Sequence, residues 1–372
     1  MTNLLLFLGG LIALIAGAEV LVRGASRLAL SFGLSPLVIG LTVVAFGTSA
    51  PEVAVSVGAV LDGRNDMAVG NVVGSNIFNV LGILGLSALV APLVVHSQVI
   101  RQEVPIMIGA SLVLVALAVD GTIDRLEAGL LLALLAAYVA FLVVQGRREA
   151  AGGTQREAAD ADAASQGQAG EAQDGGRDLL GKLPMQLLAI AVGLGLLVLG
   201  AQWLVSAASG FARALGVSDL VIGLTIVAAG TSLPELATSA LAALRGQRDI
   251  AVGNAVGSCT FNLLGCLGLA GLVSDGGLAV PAAVLNFDLW VMLAAAIACI
   301  PVIISGREIA RWEGALFVAH YAAYTGYLIL SAADHDALPA YSKAMMSFVI
   351  PLAIVTLVAA MLRPHPRGSR QH

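Results

Sequence analysis

Gly47-Thr48-Ser49-Ala50-Pro51-Glu52 returns 183 residues later as Gly230-Thr231-Ser232-Leu233-Pro234-Glu235. The match extends outward without a gap: residues 37–86 align with 220–269, with 33 identities over 50 positions. A second shared block runs from Ala68-Val69-Gly70-Asn71 through Gly74-Ser75 to Phe78-Asn79. Its copy runs from Ala251-Val252-Gly253-Asn254 through Gly257-Ser258 to Phe261-Asn262. Shared Leu, Val and Ala can follow from apolar composition. Shared Thr, Ser, Pro, Glu and Asn inside apolar stretches cannot, because each polar group there is costly. The chain is an internal duplication.

Around the motifs the composition is that of a membrane protein. Of 372 residues, 58% are hydrophobic and 12% charged, with a mean hydropathy of +0.93; soluble domains carry about 25% charged residues. A soluble enzyme, a nucleic-acid binder and a disordered chain are excluded. A net charge of -5 implies no polyionic partner. The three cysteines, Cys259, Cys266 and Cys299, lie in apolar stretches and suggest small apolar packing rather than a disulfide or metal framework.

Apolar runs long enough to span a bilayer fall at 3–22, 36–61, 67–91, 102–119, 126–145, 185–209, 217–243, 250–273, 284–305, 312–331 and 345–362. The first lacks a basic leader and a cleavage site and is expected to be a retained helix. With the N-terminus outside, fifteen Arg and Lys fall on the cytoplasmic side and four outside, so the positive-inside bias places the C-terminus in the cytoplasm. The predicted fold is all-α: a polytopic integral membrane protein of two five-helix repeats, residues 1–145 and 185–331, plus an eleventh span at 345–362. The polar stretch 146–184 is predicted to be a disordered cytoplasmic linker. Five spans per copy, an odd number, make the second copy enter the membrane from the opposite side. Such inverted repeats are characteristic of secondary transporters with a midplane site.

Glu52 and Glu235 lie deep in the second and seventh spans, where an acid costs about 2.5–3.5 kcal/mol on insertion scales. Neither copy offers Arg or Lys at that depth, so the expected partner is a cation or a proton rather than a protein counter-charge. Thr48 and Ser49 share a helical face with Glu52, as Thr231 and Ser232 do with Glu235. Pro51 and Pro234 interrupt the backbone ladder beside them. Ser75 and Asn79, and likewise Ser258 and Asn262, lie one turn apart on the following span. Oxygen donors without thiolate or imidazole at matched positions favour Ca²⁺ or Na⁺. Helix–helix hydrogen bonding is the alternative role for those last four residues.

The doubled segments GTSAPE…GNVVGSNIFN and GTSLPE…GNAVGSCTFN resemble the α-repeats of the cation/calcium exchanger superfamily, in its prokaryotic sodium/calcium exchanger branch. The resemblance covers roughly residues 3–331 and implies alternating access, with sodium entering as calcium leaves. It implies that Glu52 and Glu235 ligate Ca²⁺, helped by the carbonyls of Thr48 and Thr231. Ser49, Ser75, Ser232 and Ser258, with the carbonyls of Ala45 and Ala228, would form sodium sites. Asn79 and Asn262 would line the centre between them. Three departures stand out. Cys259 occupies the position matching Asn76, which puts Asn76 in question as a ligand. Asn262 stands where potassium-dependent relatives carry Asp, which argues against potassium co-transport. The eleventh span is one more than the usual ten. The signature of the proton/calcium branch is absent.

The expected substrates are therefore Ca²⁺ and Na⁺, with the lipid bilayer as the surrounding partner. No cofactor, nucleic acid or obligatory protein partner is implied, and the expected location is a bacterial inner membrane. Two rival readings are a Ca²⁺/H⁺ antiporter on the same scaffold and a passive cation channel with the Glu pair as selectivity ring. An enzyme is disfavoured because the repeats pair no nucleophile with a base. Glu19 is expected to form a local ion pair with Arg23, and Asp66 and Asp249 to be N-terminal helix caps.

Overall fold

The computed structural model describes residues 2–164, 182–215, 228–304, 308–333 and 335–362. Helices follow one another with short turns: α1 (Thr2–Phe32), α2 (Pro36–Thr48), α3 (Ala50–Leu61), α4 (Asn65–Val90), α5 (Val99–Asp120) and α6 (Arg125–Ala164). After residue 182 come α7 (Leu183–Ala214), α8 (Leu233–Leu244), α9 (Arg248–Val273), α10 (Val284–Ile300), α11 (Arg311–Ala332) and α12 (Leu338–Thr356). Each of the eleven expected spans falls on helix within the described residues. The exceptions are residues 217–227 of the seventh and residue 305 of the ninth, which lie outside them. The protein is a multi-pass, all-helical membrane protein.

Two short antiparallel ladders tie the copies together. β1 (Leu93–Val94) pairs with β4 (Glu308–Ile309), and β2 (Thr122–Ile123) with β3 (Leu278–Ala279). By position in the repeat, β3 is the counterpart of β1 and β4 that of β2. Each ladder therefore joins one copy to the other, and the two ladders are exchanged by the same pseudo-symmetry. The turns repeat as well. Gly63, after α3, and Gly246, after α8, both have φ +74°, a left-handed conformation that L side chains resist.

α1 and α7 are equivalent helices and pack antiparallel on glycine. A Cβ built on Gly10 would lie 2.9 Å from the Gly200 carbonyl oxygen, and one on Gly17 would lie 2.8 Å from that of Gly193. Such contacts let backbones touch where lipid provides no hydrophobic drive between helices. Their outer faces carry exposed Leu5, Ile12, Leu187 and Leu188, as lipid contact requires. α4 and α9 are the most enclosed spans and form the middle of the bundle.

Two expectations need correction and a third gains a partner. α6 does not stop at residue 145 but continues as helix to Ala164, so the first half of the expected linker has helical backbone. Its Ala, Arg, Glu and Gln are strong helix formers that need no core to support them; residues 165–181 lie outside the described residues. Asp66 and Asp249 are not N-caps. α4 starts at Asn65 and α9 at Arg248, which puts each aspartate at the second helical position; there it faces the positive helix end without capping it. Glu19 does pair with Arg23, at 2.5 Å, but it also pairs with Arg245 at 2.8 Å. That second bond ties α1 to the end of α8, a link no local spacing could show.

Candidate cation site

The doubled motif breaks its helix in both copies. α2 and α3 together have the length and apolar composition of one span but are bent by 40° at Ser49, whose φ of -82° and ψ of 4° leave the helical well. Ser232 does the same in the second copy, with φ -91° and ψ 11°. The cause is Pro51 and Pro234, each in the first turn of the following half-helix, where a missing N–H is harmless. Glu52 and Glu235 thereby sit in the first turns of α3 and α8, against the positive ends of two half-helices.

The breaks face each other. Ser232 Oγ donates to Glu52 Oε1 at 2.7 Å, and Ser49 Oγ donates to Glu235 Oε1 at 3.0 Å. Each copy supplies the hydroxyl that holds the other copy's carboxylate. Glu52, Glu235, Thr48, Ser49 and Ser232 are all fully buried. Among the described residues neither carboxylate is in an ion pair, while Glu52 Oε2 and Glu235 Oε2 have no hydrogen-bond partner. Buried oxygens of that kind call for a ligand, and two carboxylates that share a buried site call for positive charge.

The other expected residues divide. Thr48 Oγ1 lies 3.1 Å from Val44 O and 3.0 Å from Asn254 Oδ1, two acceptors within reach of its one proton. The Ala45 carbonyl accepts the Ser49 amide at 3.1 Å and the Ser258 hydroxyl at 3.5 Å. Ser75 Oγ, Thr231 Oγ1 and both side-chain polar atoms of Asn79 are buried without partners. Asn262 keeps Nδ2 unpartnered, while its Oδ1 accepts the Cys266 thiol at 3.3 Å. Ala228 begins the three residues of helix before the second break. Asn79 and Asn262 both lie in π-helical turns, Phe78–Leu84 and Asn262–Cys266, a widening that recurs at functional sites. The first of these turns packs against α8 and the second against α3, so each asparagine belongs to an element that touches the other copy's glutamate helix. Asn76 turns its amide onto its own helix, Nδ2 to Val72 O at 2.8 Å.

Two sets of residues escaped the sequence reading. Asn71 donates to Ser56 Oγ at 3.0 Å and to the Glu52 carbonyl at 3.4 Å; Asn254 repeats this with Ser239 at 2.9 Å and Glu235 O at 3.2 Å. These amides brace the glutamate half-helices from the neighbouring span, and both stand in the shared block, where their matching was the available signal. The second set is a pair of carboxylate–tyrosine bonds: Tyr138 to Glu103 and Tyr324 to Asp288, both 2.8 Å. Both acids sit in π-helical turns, Val99–Glu103 and Val284–Asp288. Their offset is 185 rather than 183, so a fixed repeat frame slides past them. Glu103 is fully buried and also accepts from Gln98 Nε2 at 3.3 Å. Tyr138→Phe removes one of its two donors and is expected to cost about 1–3 kcal/mol. That would register as a lower thermal midpoint in detergent, and an unchanged midpoint would show that the bond contributes nothing.

The chain is similar to known membrane transport proteins. The chain matches the family described as Sodium/calcium exchanger protein over residues 2–144 and 185–330, the two copies without the connecting segment. It is 40% identical to the inner membrane protein YrbG of Escherichia coli, over 73% of this chain and 80% of that one. It is 34% identical to the sodium/calcium exchanger MaX1 of Methanosarcina acetivorans, over 87% of this chain and 97% of the other. Among solved structures, the sodium-calcium exchanger NCX_Mj soaked with zero Na⁺ and Ca²⁺ superimposes with a TM-score of 0.71 at 29% identity, covering 88% of this chain and 99% of that one. Duplicated motif, crossed carboxylates and overall architecture lead to one assignment: the chain belongs to the sodium/calcium exchanger family.

Proposed function

We propose that the protein is an antiporter that exchanges Na⁺ for Ca²⁺ across a bacterial inner membrane by alternating access. The observation that carries this reading is the crossed pair Ser232–Glu52 and Ser49–Glu235, with a second oxygen of each buried carboxylate left for a ligand. One Ca²⁺ would neutralise the pair, taking both carboxylates and the carbonyls of Thr48 and Thr231. Several Na⁺ would do so instead through Ser49, Ser75, Ser232 and Ser258 with the carbonyls of Ala45 and Ala228, while Asn79 and Asn262 line the space between. The two sets overlap, so the ions compete.

Obligatory exchange follows from electrostatics. A buried carboxylate pair without cations is several kcal/mol less stable per charge than in water, so the empty site does not cross between its outward-open and inward-open states. The five-span units 1–145 and 185–331 are the moving parts, joined by the cytoplasmic segment 146–184, with the N-terminus outside and the C-terminus inside. The family match, and the similarity to the sodium/calcium exchangers MaX1 and NCX_Mj, support sodium as the coupling ion.

The test is ⁴⁵Ca²⁺ uptake into proteoliposomes loaded with sodium and diluted into sodium-free buffer. Uptake that requires internal sodium is the expected result. Uptake that ignores sodium and follows an imposed pH gradient would assign proton coupling instead, and uptake that needs neither gradient would indicate a channel.

A further inference from the structure

At the edge of the bundle, away from the crossed glutamates, α10, α11 and α12, with Leu81 of α4, line a partly open cavity of about 430 Å³. Its walls include Phe287, Tyr324, Tyr327, Tyr341, His320 and Met345. That volume lies within the range of small-molecule sites, which combine apolar and aromatic walls with a few placed polar groups. The rings form a box. Phe287 lies 4.3 Å from Tyr327 and 6.2 Å from Tyr324 between centroids, the latter pair stacked at 18°. Tyr341 closes one side, its hydroxyl donating to Ala323 O at 2.7 Å and so fixing the start of α12 against α11.

Charge stands behind the box. The Tyr324 hydroxyl donates to Asp288 Oδ1 at 2.8 Å, and among the described residues Asp288 is in no ion pair. A phenol that donates to a carboxylate gains electron density in its ring, and electron-rich faces attract cations. The repeat isolates what is special here. The first copy has the same carboxylate–tyrosine bond, Glu103 to Tyr138, but Gln102 stands at the position of Phe287 and Phe141 at that of Tyr327. Tyr341 belongs to the extra helix and has no counterpart. Scaffold symmetry therefore explains the acid and its tyrosine but not the aromatic box.

We propose that this cavity binds lipophilic organic cations, of the quaternary ammonium or phosphonium class. The aromatic faces and the Asp288 carboxylate select positive charge, and the apolar walls within a membrane-spanning region select a cation with a hydrophobic coat. A metal ion is a poor fit, because it needs several oxygen ligands and the walls are mainly rings and apolar side chains. A lipid acyl chain would fill the same volume without regard to charge. The proposal is independent of which ion drives exchange at the centre of the bundle.

Tetraphenylphosphonium and tetraphenylborate have nearly the same size and shape and opposite charge, so they separate these occupants. The measurement is equilibrium dialysis of each ion against the purified full-length protein in nanodiscs, with empty nanodiscs subtracted. The expected result is saturable binding of one tetraphenylphosphonium per chain, at least about tenfold tighter than tetraphenylborate. Asp288→Asn and Tyr327→Leu should each weaken tetraphenylphosphonium about tenfold, with tetraphenylborate unchanged. Equal or tighter binding of tetraphenylborate, absence of saturable tetraphenylphosphonium binding, or indifference to both substitutions would overturn the proposal. The comparison of the two ions on the unsubstituted protein does not depend on either variant folding.

Discussion

Replacing Glu52 or Glu235 by Gln is expected to reduce calcium exchange at least about 100-fold, the equivalent of roughly 2.7 kcal/mol in the site's preference for its ion. Glutamine preserves the shape of the side chain and leaves an oxygen to accept the serine hydroxyl from the opposite copy. What it removes is one of two negative charges in a fully buried site. A divalent cation would then be only half neutralised in a low-dielectric setting, where such imbalance is costly. Because the crossed bonds are reciprocal, the two substitutions should have similar effects. Ser49→Ala and Ser232→Ala remove one hydroxyl each and should cost less, about 3- to 10-fold for a bond of roughly 1 kcal/mol. Exchange at ordinary rates in either Gln variant would refute carboxylate-centred transport.

Leucine at Gly193 is expected to disrupt the protein itself. A Cβ at that position would stand 2.7 Å from the backbone nitrogen of Leu21 and 2.9 Å from the Gly17 carbonyl oxygen, and backbone cannot turn aside as a side chain does. The helices must separate, losing close packing along their length. Overpacking costs about 1–3 kcal/mol in well-packed cores, and a rigid backbone obstacle belongs at or above the upper end. Gly195, two residues on, has nothing within 4 Å of its built Cβ and is the matched control. Size-exclusion profiles and thermal midpoints in detergent should show Gly193→Leu aggregated or strongly destabilised and Gly195→Leu near the parent. Equal behaviour of the two would mean that α1 and α7 do not depend on glycine contact.

Much of this was legible because duplication doubles every signal. Glu52 and Glu235 stood out as acids at matched depth in apolar spans, and the structure brings each to the other copy's serine. The prolines announced the helix breaks. The bridge from Glu19 to Arg245 was hidden because long-range pairing leaves no local spacing. The Glu103–Tyr138 and Asp288–Tyr324 bonds were hidden for a different reason: loop-length differences shift the repeat offset, so equivalent residues fall out of frame. The length of α6 was misjudged because polarity argues against burial but not against helix, and Ala, Glu, Gln and Arg favour helix without a core. The aspartates at the starts of α4 and α9 were placed one or two residues too early, an ordinary shift at helix ends.

Equilibrium binding of ⁴⁵Ca²⁺ to the purified protein, titrated with Na⁺, tests the shared central site most directly. One Ca²⁺ should bind per chain, be displaced by Na⁺ with a sigmoidal dependence as several ions replace one, and be lost in Glu235→Gln. Two Ca²⁺ per chain, or Ca²⁺ that remains bound at saturating Na⁺, would mean that the copies hold separate sites and that exchange does not arise from competition between them.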